Sequence, residues 1–394
     1  MAIKERLWTR DFITIIILNF FIFLTYYVLV QMLPLYLAGV HGATSDQVGL
    51  LVTFFLAAAI AIRPFAGQWV AMTSQKKILV AAAVGFCVAT LLYPLASGGV
   101  NSILLLRVFH GLMYGVLTTA KGTICAEMIP VSRRAEGLSY FAMSMVLGMV
   151  LGPYVGIAFS DAGAYTTGFY TCMGIAGICI VLCLVLRVPE IGENADVPEE
   201  LRRLSLRNMF DVKAAPFALT IFILAIAWSG IPAFFALYTK GIGLATTASN
   251  FFLIYAGFVL VSRPFAGRWA DRYGPKVIAL PALALFAVGA VLISTTGANG
   301  VFLVAGAIIG VGYGSVTPIL QTQIIGAVEP HRVGIANSLY FNSMDLGMAI
   351  GSYVLGVIAK GSGYQTIYAI SVCVIVCAAV EYLLVTRRKK SPAS

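Results

Sequence analysis

Long apolar stretches alternate with short polar, glycine- or proline-containing breaks along nearly the whole chain. A helix that crosses the hydrocarbon core of a bilayer needs roughly 20 apolar residues. The pattern predicts twelve such helices and leaves no room for a sizeable soluble domain. We expect them to begin near Phe12, Asp46, Ile78, Ser102, Gly137, Thr166, Phe217, Thr247, Val277, Val301, Gly334 and Thr366.

The composition agrees with a membrane protein, since 60% of the 394 residues are apolar, 11% are charged and the mean hydropathy is +0.93. The seven cysteines lie in apolar runs and suit helix packing rather than disulfides. The pairs Cys179/Cys183 and Cys373/Cys377 have the four-residue spacing of a soft-metal site. No histidine accompanies either pair, so we predict neither a metal nor a cofactor.

The net charge of +10 has a topological explanation. Cytoplasmic loops of membrane proteins collect Lys and Arg, and with a cytoplasmic N-terminus almost all loop cations fall on that side. The outer segments then keep only Lys240 and Lys360. We therefore predict a multi-pass protein of the bacterial inner membrane with both termini cytoplasmic, and no nucleic-acid partner. The predicted cytoplasmic cations are Lys76, Lys77, Arg133, Arg134, Arg202, Arg203, Arg207, Arg272, Lys276, Arg332, Arg387, Arg388, Lys389 and Lys390.

An internal repeat divides the chain into two like halves. Arg63-Pro-Phe-Ala-Gly-Gln-Trp69 returns as Arg263-Pro-Phe-Ala-Gly-Arg-Trp269. Six spans separate the two copies, so they have the same orientation and a symmetry axis along the membrane normal. We predict a six-helix bundle over residues 1–188, a cytoplasmic linker over 189–213 and a second bundle over 214–394. The mixed charges of the linker favour a solvated connector over a regulatory site.

A loop after the eighth span carries a family signature. Gly267-Arg-Trp-Ala-Asp271-Arg272-Tyr-Gly274-Pro-Lys276 resembles the G-x-x-x-D-R-x-G-x-K/R loop of the major facilitator superfamily. The resemblance implies an all-α membrane protein whose twelve transmembrane helices form two pseudo-symmetric six-helix bundles that alternate access to a central site. In the first half, Ala71 stands where the pattern asks for Asp.

The same resemblance predicts a cytoplasmic gate. By pseudo-symmetry the end of the eighth span approaches the start of the fifth, where a helix N-terminus carries partial positive charge. Asp271 would meet that dipole and the two arginines beside it, and the glycines would permit close approach and a tight turn. The predicted gating residues are Gly267, Asp271, Arg272, Gly274, Lys276, Arg133 and Arg134.

The fourth span contains Leu106-Arg107-Val-Phe-His110-Gly111, which resembles the family's R-x-x-Q-G-x-G element with His in place of Gln. An intramembrane arginine costs at least ~2.5–3.5 kcal/mol, so it should face a partner or a wet cavity. We predict that Arg107 lines the substrate cavity; carbonyl groups of neighbouring helices are the structural alternative. Tyr26, Tyr27 and Gln31 of the first span are further predicted cavity residues.

The fifth span contains Gly148-Met-Val-Leu-Gly152-Pro153-Tyr-Val-Gly156. This sequence resembles the G-x-x-x-G-P-x-x-G-G element of proton-driven exporters of the superfamily, with Ile157 in place of the last glycine. Glycines at four-residue spacing share one helix face and let another backbone approach. Simple helix packing explains the glycines but not Pro153, so we predict an antiporter element.

Three titratable residues are predicted to couple transport to protons: Asp345, His110 and Glu127. Asp345 is the principal candidate because it falls about midway through the eleventh span, where burial disfavours the charged form of a carboxyl group. A neutral, hydrogen-bonded acid that ties helices together is the alternative. For His110 the alternative is a packing residue with satisfied hydrogen bonds.

Together these features predict a secondary active transporter whose partners are a small-molecule substrate, protons and the lipid bilayer. We expect a proton-coupled exporter, an antiporter of small amphipathic compounds or of a secreted metabolite. The alternative is a proton-coupled importer of a sugar or organic acid held by Arg107. No nucleophile and base, nor a metal constellation, share one membrane depth, so we do not expect an enzyme.

Overall fold

In the computed structural model, residues 6–43, 45–96, 99–188, 210–244 and 246–388 are described. They form twelve α-helices, with single 3-10 turns at Val131–Arg133 and Pro330–Arg332. The helices are α1 (Arg10–His41), α2 (Ser45–Met72), α3 (Gln75–Leu92), α4 (Gly99–Met128), α5 (Arg134–Asp161), α6 (Tyr165–Val185), α7 (Ala215–Gly241), α8 (Thr247–Tyr273), α9 (Pro275–Thr295), α10 (Asn299–Gly326), α11 (Val333–Ser362) and α12 (Tyr364–Arg388).

The described helices confirm the twelve predicted spans, because all twelve are long and apolar enough to cross a membrane. The largest offset between a predicted and an observed start is three residues, at α3, α4 and α5. Polar breaks locate helix ends well because unpaired backbone groups at helix ends need water or a capping group. Most of the predicted linker lies outside the described residues, as do Arg202, Arg203, Arg207, Lys389 and Lys390.

Packing divides the chain into two compact units. The first unit comprises Met1–Pro130, Ser144–Phe210 and Pro330–Ser338, and the second comprises Val131–Met143, Asp211–Glu329 and Leu339–Ser394. The first turns of α5 therefore pack within the second unit, and the first turns of α11 pack within the first unit. The predicted bundle boundaries follow chain order instead, and they stay a prediction.

Each unit contains equivalent contacts between a glycine of one helix and the backbone of another. In the first unit a Cβ at Gly111 of α4 would strike the Phe55 carbonyl of α2. In the second unit a Cβ at Gly310 of α10 would lie 2.6 Å from the Tyr255 carbonyl of α8. Small residues at such positions let backbones approach closely, which is how spanning helices associate without a hydrophobic driving force. The sequence repeat is therefore also a packing repeat.

Candidate functional site

The end of α8 meets the start of α5 within the second unit, and we call this contact the α8–α5 junction (residues 263–274 with 131–143). The Asp271 carboxylate accepts hydrogen bonds from two backbone N–H groups, those of Ala135 at 2.9 Å and Glu136 at 2.8 Å. The first N–H groups of a helix have no partner within the helix and carry its partial positive charge. Asp271 therefore caps α5 from another helix, and charge-assisted bonds of this kind are strong.

A buried carboxylate lies beside this cap. Glu136 is 2% exposed and accepts hydrogen bonds from Arg133 Nε and Arg268 Nε, each at 2.8 Å. Arg268 Nη2 also donates to the Tyr140 hydroxyl at 2.8 Å. A buried charge is tolerated only when it is paired and hydrogen-bonded. The α8–α5 junction thus combines a cap with an ion-pair network.

Gly267 brings the two helices together. A Cβ at Gly267 would lie 2.7 Å from the Ala135 carbonyl oxygen and 2.7 Å from Glu136 Cα, so a larger residue would push α8 off α5. Gly274 then ends α8 with a φ of 93°, a conformation that glycine adopts without strain. The structure thus brings together Gly267, Asp271 and Arg133 of the predicted gate.

The other predicted gating residues flank these three. Arg134 is half-buried at the first position of α5, and Lys276 is half-buried at the second position of α9. Arg272 is exposed, with its guanidinium carbon 5.2 Å from the centroid of the Tyr273 ring.

The end of α2 meets the start of α11 within the first unit, and we call this contact the α2–α11 junction (residues 59–72 with 330–338). A Cβ at Gly67 would lie 2.8 Å from Ser338 Cβ. The Ser338 hydroxyl donates to the Arg63 carbonyl at 2.7 Å, and Asn337 Nδ2 donates to the Thr119 carbonyl of α4 at 3.2 Å. These two polar residues are not among the predicted site residues; the structure places Ser338 against Gly67 as it places Ser139 against Gly267.

Arg107 is buried within the first unit, and its role in a substrate cavity stays a prediction. Its side chain is 1% exposed, and its Nε donates to the Leu51 carbonyl at 3.1 Å. Nη1 donates to the Tyr93 hydroxyl at 3.4 Å, and the guanidinium carbon lies 4.1 Å from the centroid of the Phe55 ring. A carbonyl, a phenol and a ring face therefore supply the partners that an intramembrane arginine needs.

His110 belongs to the same cluster. Its Nδ1 is 3.0 Å from the Tyr93 hydroxyl, and its ring packs edge-on against Phe55 and Phe86, with centroids 5.5 Å and 4.5 Å away. Which of the two groups donates in this contact depends on the tautomer of the His110 ring. His110 thus has a polar partner at Nδ1, whereas its Nε2 is buried without a hydrogen-bond partner among the described residues, and its role in proton coupling stays a prediction.

The predicted antiporter element of α5 packs against α1. A Cβ at Gly148 would lie 2.9 Å from Phe23 Cβ, and one at Gly156 would lie 2.7 Å from the Val28 carbonyl. Gly152 faces Tyr27 in the same way, between these two contacts. The three glycines therefore form one continuous face of α5, and Pro153, the only proline within this helix, directly follows Gly152.

The predicted cavity residues of α1 are half-buried. Tyr26 stacks on Tyr114 with ring centroids 5.1 Å apart, and Tyr27 contacts Tyr26 edge-on at 4.9 Å. Gln31 lies beside the last glycine of the α5 element, since a Cβ at Gly156 would be 3.1 Å from Gln31 Cβ. The structure therefore places these residues next to the α5 element and to an aromatic cluster of α2 and α4.

The two predicted proton-coupling acids lie on different helices and in different units. Asp345 is half-buried in α11, where Tyr313 and Tyr340 interact with it electrostatically. Glu127 lies one residue before the end of α4 and accepts a hydrogen bond from Gln75 Nε2 at 2.8 Å. Among the described residues, no group of three or more His, Cys, Asp or Glu side chains could hold a metal ion.

A buried lysine of the first unit is linked by hydrogen bonds to two other helices. Lys121 of α4 is fully buried, and its Nζ donates to Asn19 Oδ1 of α1. Asn19 Nδ2 in turn donates to Ser144 Oγ of α5 at 2.7 Å. Lys121 is an ionisable residue within a predicted span, but nothing in the sequence indicates its partner, because Asn19 lies 102 residues away.

Comparison with known proteins identifies the family to which the sequence is similar. A family model of the Major Facilitator Superfamily matches residues 15–261 and 242–394. Multidrug resistance protein MdtG of Klebsiella pneumoniae is 27% identical over 380 residues, which cover 92% of this chain and 90% of that protein. The staphylopine export protein of Staphylococcus aureus is 24% identical over 367 residues, which cover 87% of this chain and 88% of that protein.

The solved structure of the human organic anion transporter TETRAN matches 94% of this chain and 99% of that chain. The TM-score is 0.78 at 15% sequence identity, so this likeness is one of fold. The match supports the predicted arrangement of twelve spanning helices. Because the family model covers well over half of the sequence, this multi-pass membrane protein belongs to the Major Facilitator Superfamily, a family of transport proteins.

Proposed function

We propose that this protein is a proton-coupled exporter of small amphipathic compounds or of a secreted metabolite, working by alternating access. The observation that carries the proposal is the face of α5 that Gly148, Gly152 and Gly156 form against α1, with Pro153 directly after the central glycine. The corresponding face of α11 keeps Gly347 and Gly351 against α7 but has Ser352 in the place of the proline. The glycine face with an adjacent proline is therefore present in one unit only among the described residues, as the resemblance to exporters of the superfamily implies.

Two relatives support export. One is named a multidrug resistance protein and another is named for the export of staphylopine, and each is similar to this chain over most of its length. The aromatic cluster around Tyr26, Tyr27 and Tyr114 supports a cargo with an apolar body, since aromatic rings supply large amphipathic contact areas. The cations on the predicted cytoplasmic loops support a bacterial inner-membrane location with both termini inside.

We infer that the α8–α5 junction acts as the cytoplasmic gate of this exporter. Asp271 and Gly267 hold α8 on the start of α5, and Glu136 adds ion pairs with Arg133 and Arg268. Alternating access requires the cytoplasmic ends of spanning helices to separate once in each cycle. The contacts of this junction would then form and break once for each cargo molecule.

Inverted membrane vesicles test the proposed direction. The vesicles would be given an acid interior and a panel of probes: ethidium as a cation, norfloxacin as a zwitterion and deoxycholate as an anion. Export in exchange for protons predicts that at least one probe accumulates inside and leaks out when the pH gradient is collapsed. Loss of preloaded probe from acid-inside vesicles would instead indicate proton symport into the cell. No gradient-dependent movement of any probe would contradict the assignment to this cargo class.

Asp345 provides a test of proton coupling. We expect Asp345→Asn to lower gradient-driven accumulation at least tenfold, because an amide cannot take up or release a proton. Probe binding, measured by fluorescence titration of the purified protein, should change far less because the substitution conserves size. Full proton-driven accumulation by this variant would remove Asp345 from the coupling mechanism.

A further inference from the structure

The Lys121 amine lies where three helices of the first unit meet. It donates to Asn19 Oδ1 of α1 and lies 4.2 Å from the centroid of the Phe23 ring, also on α1. Asn19 Nδ2 in turn donates a hydrogen bond to Ser144 Oγ of α5. A neutral amide and a ring face both stabilise a cation without neutralising its charge.

The charged and titratable groups around this amine come from three helices. They are Cys125 of α4, Cys179 and Cys183 of α6, and Arg63 of α2. The three thiols are free rather than disulfide-bonded, and all three are buried. The guanidinium repels a second cation, so the protonated amine lies in a setting where its positive charge is costly.

Lysine is suited to a change of charge in such a setting. A buried lysine gives up its proton readily, whereas arginine stays protonated in proteins. The equivalent position of the second unit does not carry a lysine. Gly115 packs on α2 as Gly314 packs on α8, and counting six residues on from each aligns Lys121 with Leu320, a fully buried leucine. The amine is therefore a feature of the first unit that helix packing alone does not require.

The charge of Lys121 acts directly on the packing of the α5 element. Phe23, whose ring faces the amine, is also the residue against which Gly148 packs. Ser144, the end of the hydrogen-bond chain, lies one helical turn before Gly148 on α5. Removing the proton weakens both the cation–π contact and the charge-assisted hydrogen bond. Protonation thus changes the attraction that holds α1 and α5 on α4.

We propose that Lys121 is a proton-binding residue of the transport cycle, which transmits its charge state to α1 and α5 through Phe23, Asn19 and Ser144. This inference rests on the proposed proton-coupled export. When the site opens to the outside, the neutral amine takes a proton from water and becomes an ammonium group. When the site opens to the cytoplasm, the ammonium group returns that proton to water. One proton therefore crosses the membrane for each turnover of the amine.

Two substitutions separate this role from a structural one. Lys121→Arg keeps a permanent cation, and Lys121→Met keeps an apolar chain of similar length without any charge. We expect both variants to lose gradient-driven accumulation at least tenfold, because neither side chain can cycle between charge states. Thr123→Val is the matched control on the same helix, since the Thr123 hydroxyl donates to its own helix at the Thr119 carbonyl, 2.9 Å away. Normal accumulation by either Lys121 variant would overturn the proposal.

A direct measurement keeps the proposal independent of cargo. In protein labelled with 13C-lysine, the Cε resonance that is missing from Lys121→Arg identifies the Lys121 side chain. We expect this resonance to change between its charged and neutral positions near neutral pH. A resonance that stays in one form throughout would overturn the proposal, even if the vesicles show proton-driven export. If wild-type vesicles show no proton-driven export, the proposed function fails whatever Lys121 does.

Discussion

The α8–α5 and α2–α11 junctions solve one packing problem with different chemistry. Each presses a glycine of one helix, Gly267 or Gly67, against the first turns of another. The α8–α5 junction adds a carboxylate cap at Asp271 and ion pairs at Glu136, whereas the α2–α11 junction has Ala71 at the matching position and relies on the neutral hydroxyl of Ser338. The comparison separates what close backbone packing needs, which is a glycine, from what sets the strength of the contact, which is charge.

The largest effects should come from the shared glycines. Gly67→Val and Gly267→Val each place new atoms within 3 Å of backbone atoms, namely the Gly334 carbonyl oxygen and Glu136 Cα. Overpacking of this kind costs about 1–3 kcal/mol, so both variants should lose most gradient-driven transport in vesicles. Gly257→Val on α8 is the control, because a Cβ there meets nothing within 4 Å. Equal losses at the two junctions would support one packing rule, and wild-type transport by either valine variant would refute it.

Asp271→Asn should have the next largest effect, and it should be confined to the α8–α5 junction. It removes the negative charge that faces the α5 N-terminus, which costs about 1–2 kcal/mol. That change is enough for about a five- to thirty-fold shift in population towards separated helix ends. Spin labels at the exposed residues Val131 and Tyr273 would report the distance between these ends. A lower protein yield with unchanged distances would mean that Asp271 only supports folding.

Ala71→Asp introduces at the α2–α11 junction the carboxylate that Asp271 supplies at the α8–α5 junction. A carboxylate at this position should reach the α11 N-terminus as Asp271 reaches that of α5, and it should stabilise the α2–α11 junction. We expect slower transport, because both junctions would then be capped by charge. Faster or unchanged transport would show that the missing acid has no bearing on the strength of this junction.

Ser338→Ala should have a smaller effect, within the α2–α11 junction. The lost hydrogen bond to the Arg63 carbonyl is a neutral one, worth about 0.5–1.5 kcal/mol. Labels at the exposed positions Thr73 and Pro330 would detect the loosening as a minor population at longer distance. Ser352→Ala on the same helix is the control, since that hydroxyl bonds within α11, to the Met348 carbonyl. A shift as large as that of Asp271→Asn would reverse the ranking of charged and neutral contacts.

The smallest effect should follow from Arg268→Gln, which copies Gln68 of the first half. The Arg268 side chain is 50% exposed, and exposed ion pairs contribute about 0–1 kcal/mol. Glu136 keeps its other partner, Arg133, at 2.8 Å. We expect less than about a fivefold change in label populations, and high salt should weaken the wild-type pair to a similar degree. A tenfold change would mean that Glu136 needs both arginines.

The sequence alone determined the spans, the repeat and the geometry expected around Asp271. Spanning helices must satisfy their backbone hydrogen bonds internally, so apolar length locates them without knowledge of their neighbours. The approach of the end of α8 to the start of α5 was expected from the repeat, because the pseudo-symmetry of the two halves relates corresponding helix ends. The acid lost at Ala71 was visible for the same reason: two copies of one motif can be compared letter by letter.

Only the tertiary structure decided which neighbours the buried polar residues have. Arg107 and His110 turn into a cluster with Tyr93, and Lys121 finds Asn19 on α1. Lipid and protein interior are both apolar, so the pattern of hydrophobic residues around a spanning helix carries little information about which side faces a neighbour. Close packing between glycine faces sets those rotations, and it joins residues that are distant in the chain, such as Gly148 of α5 and Phe23 of α1. The partners of Lys121 therefore became visible only once α1, α4 and α5 were packed together.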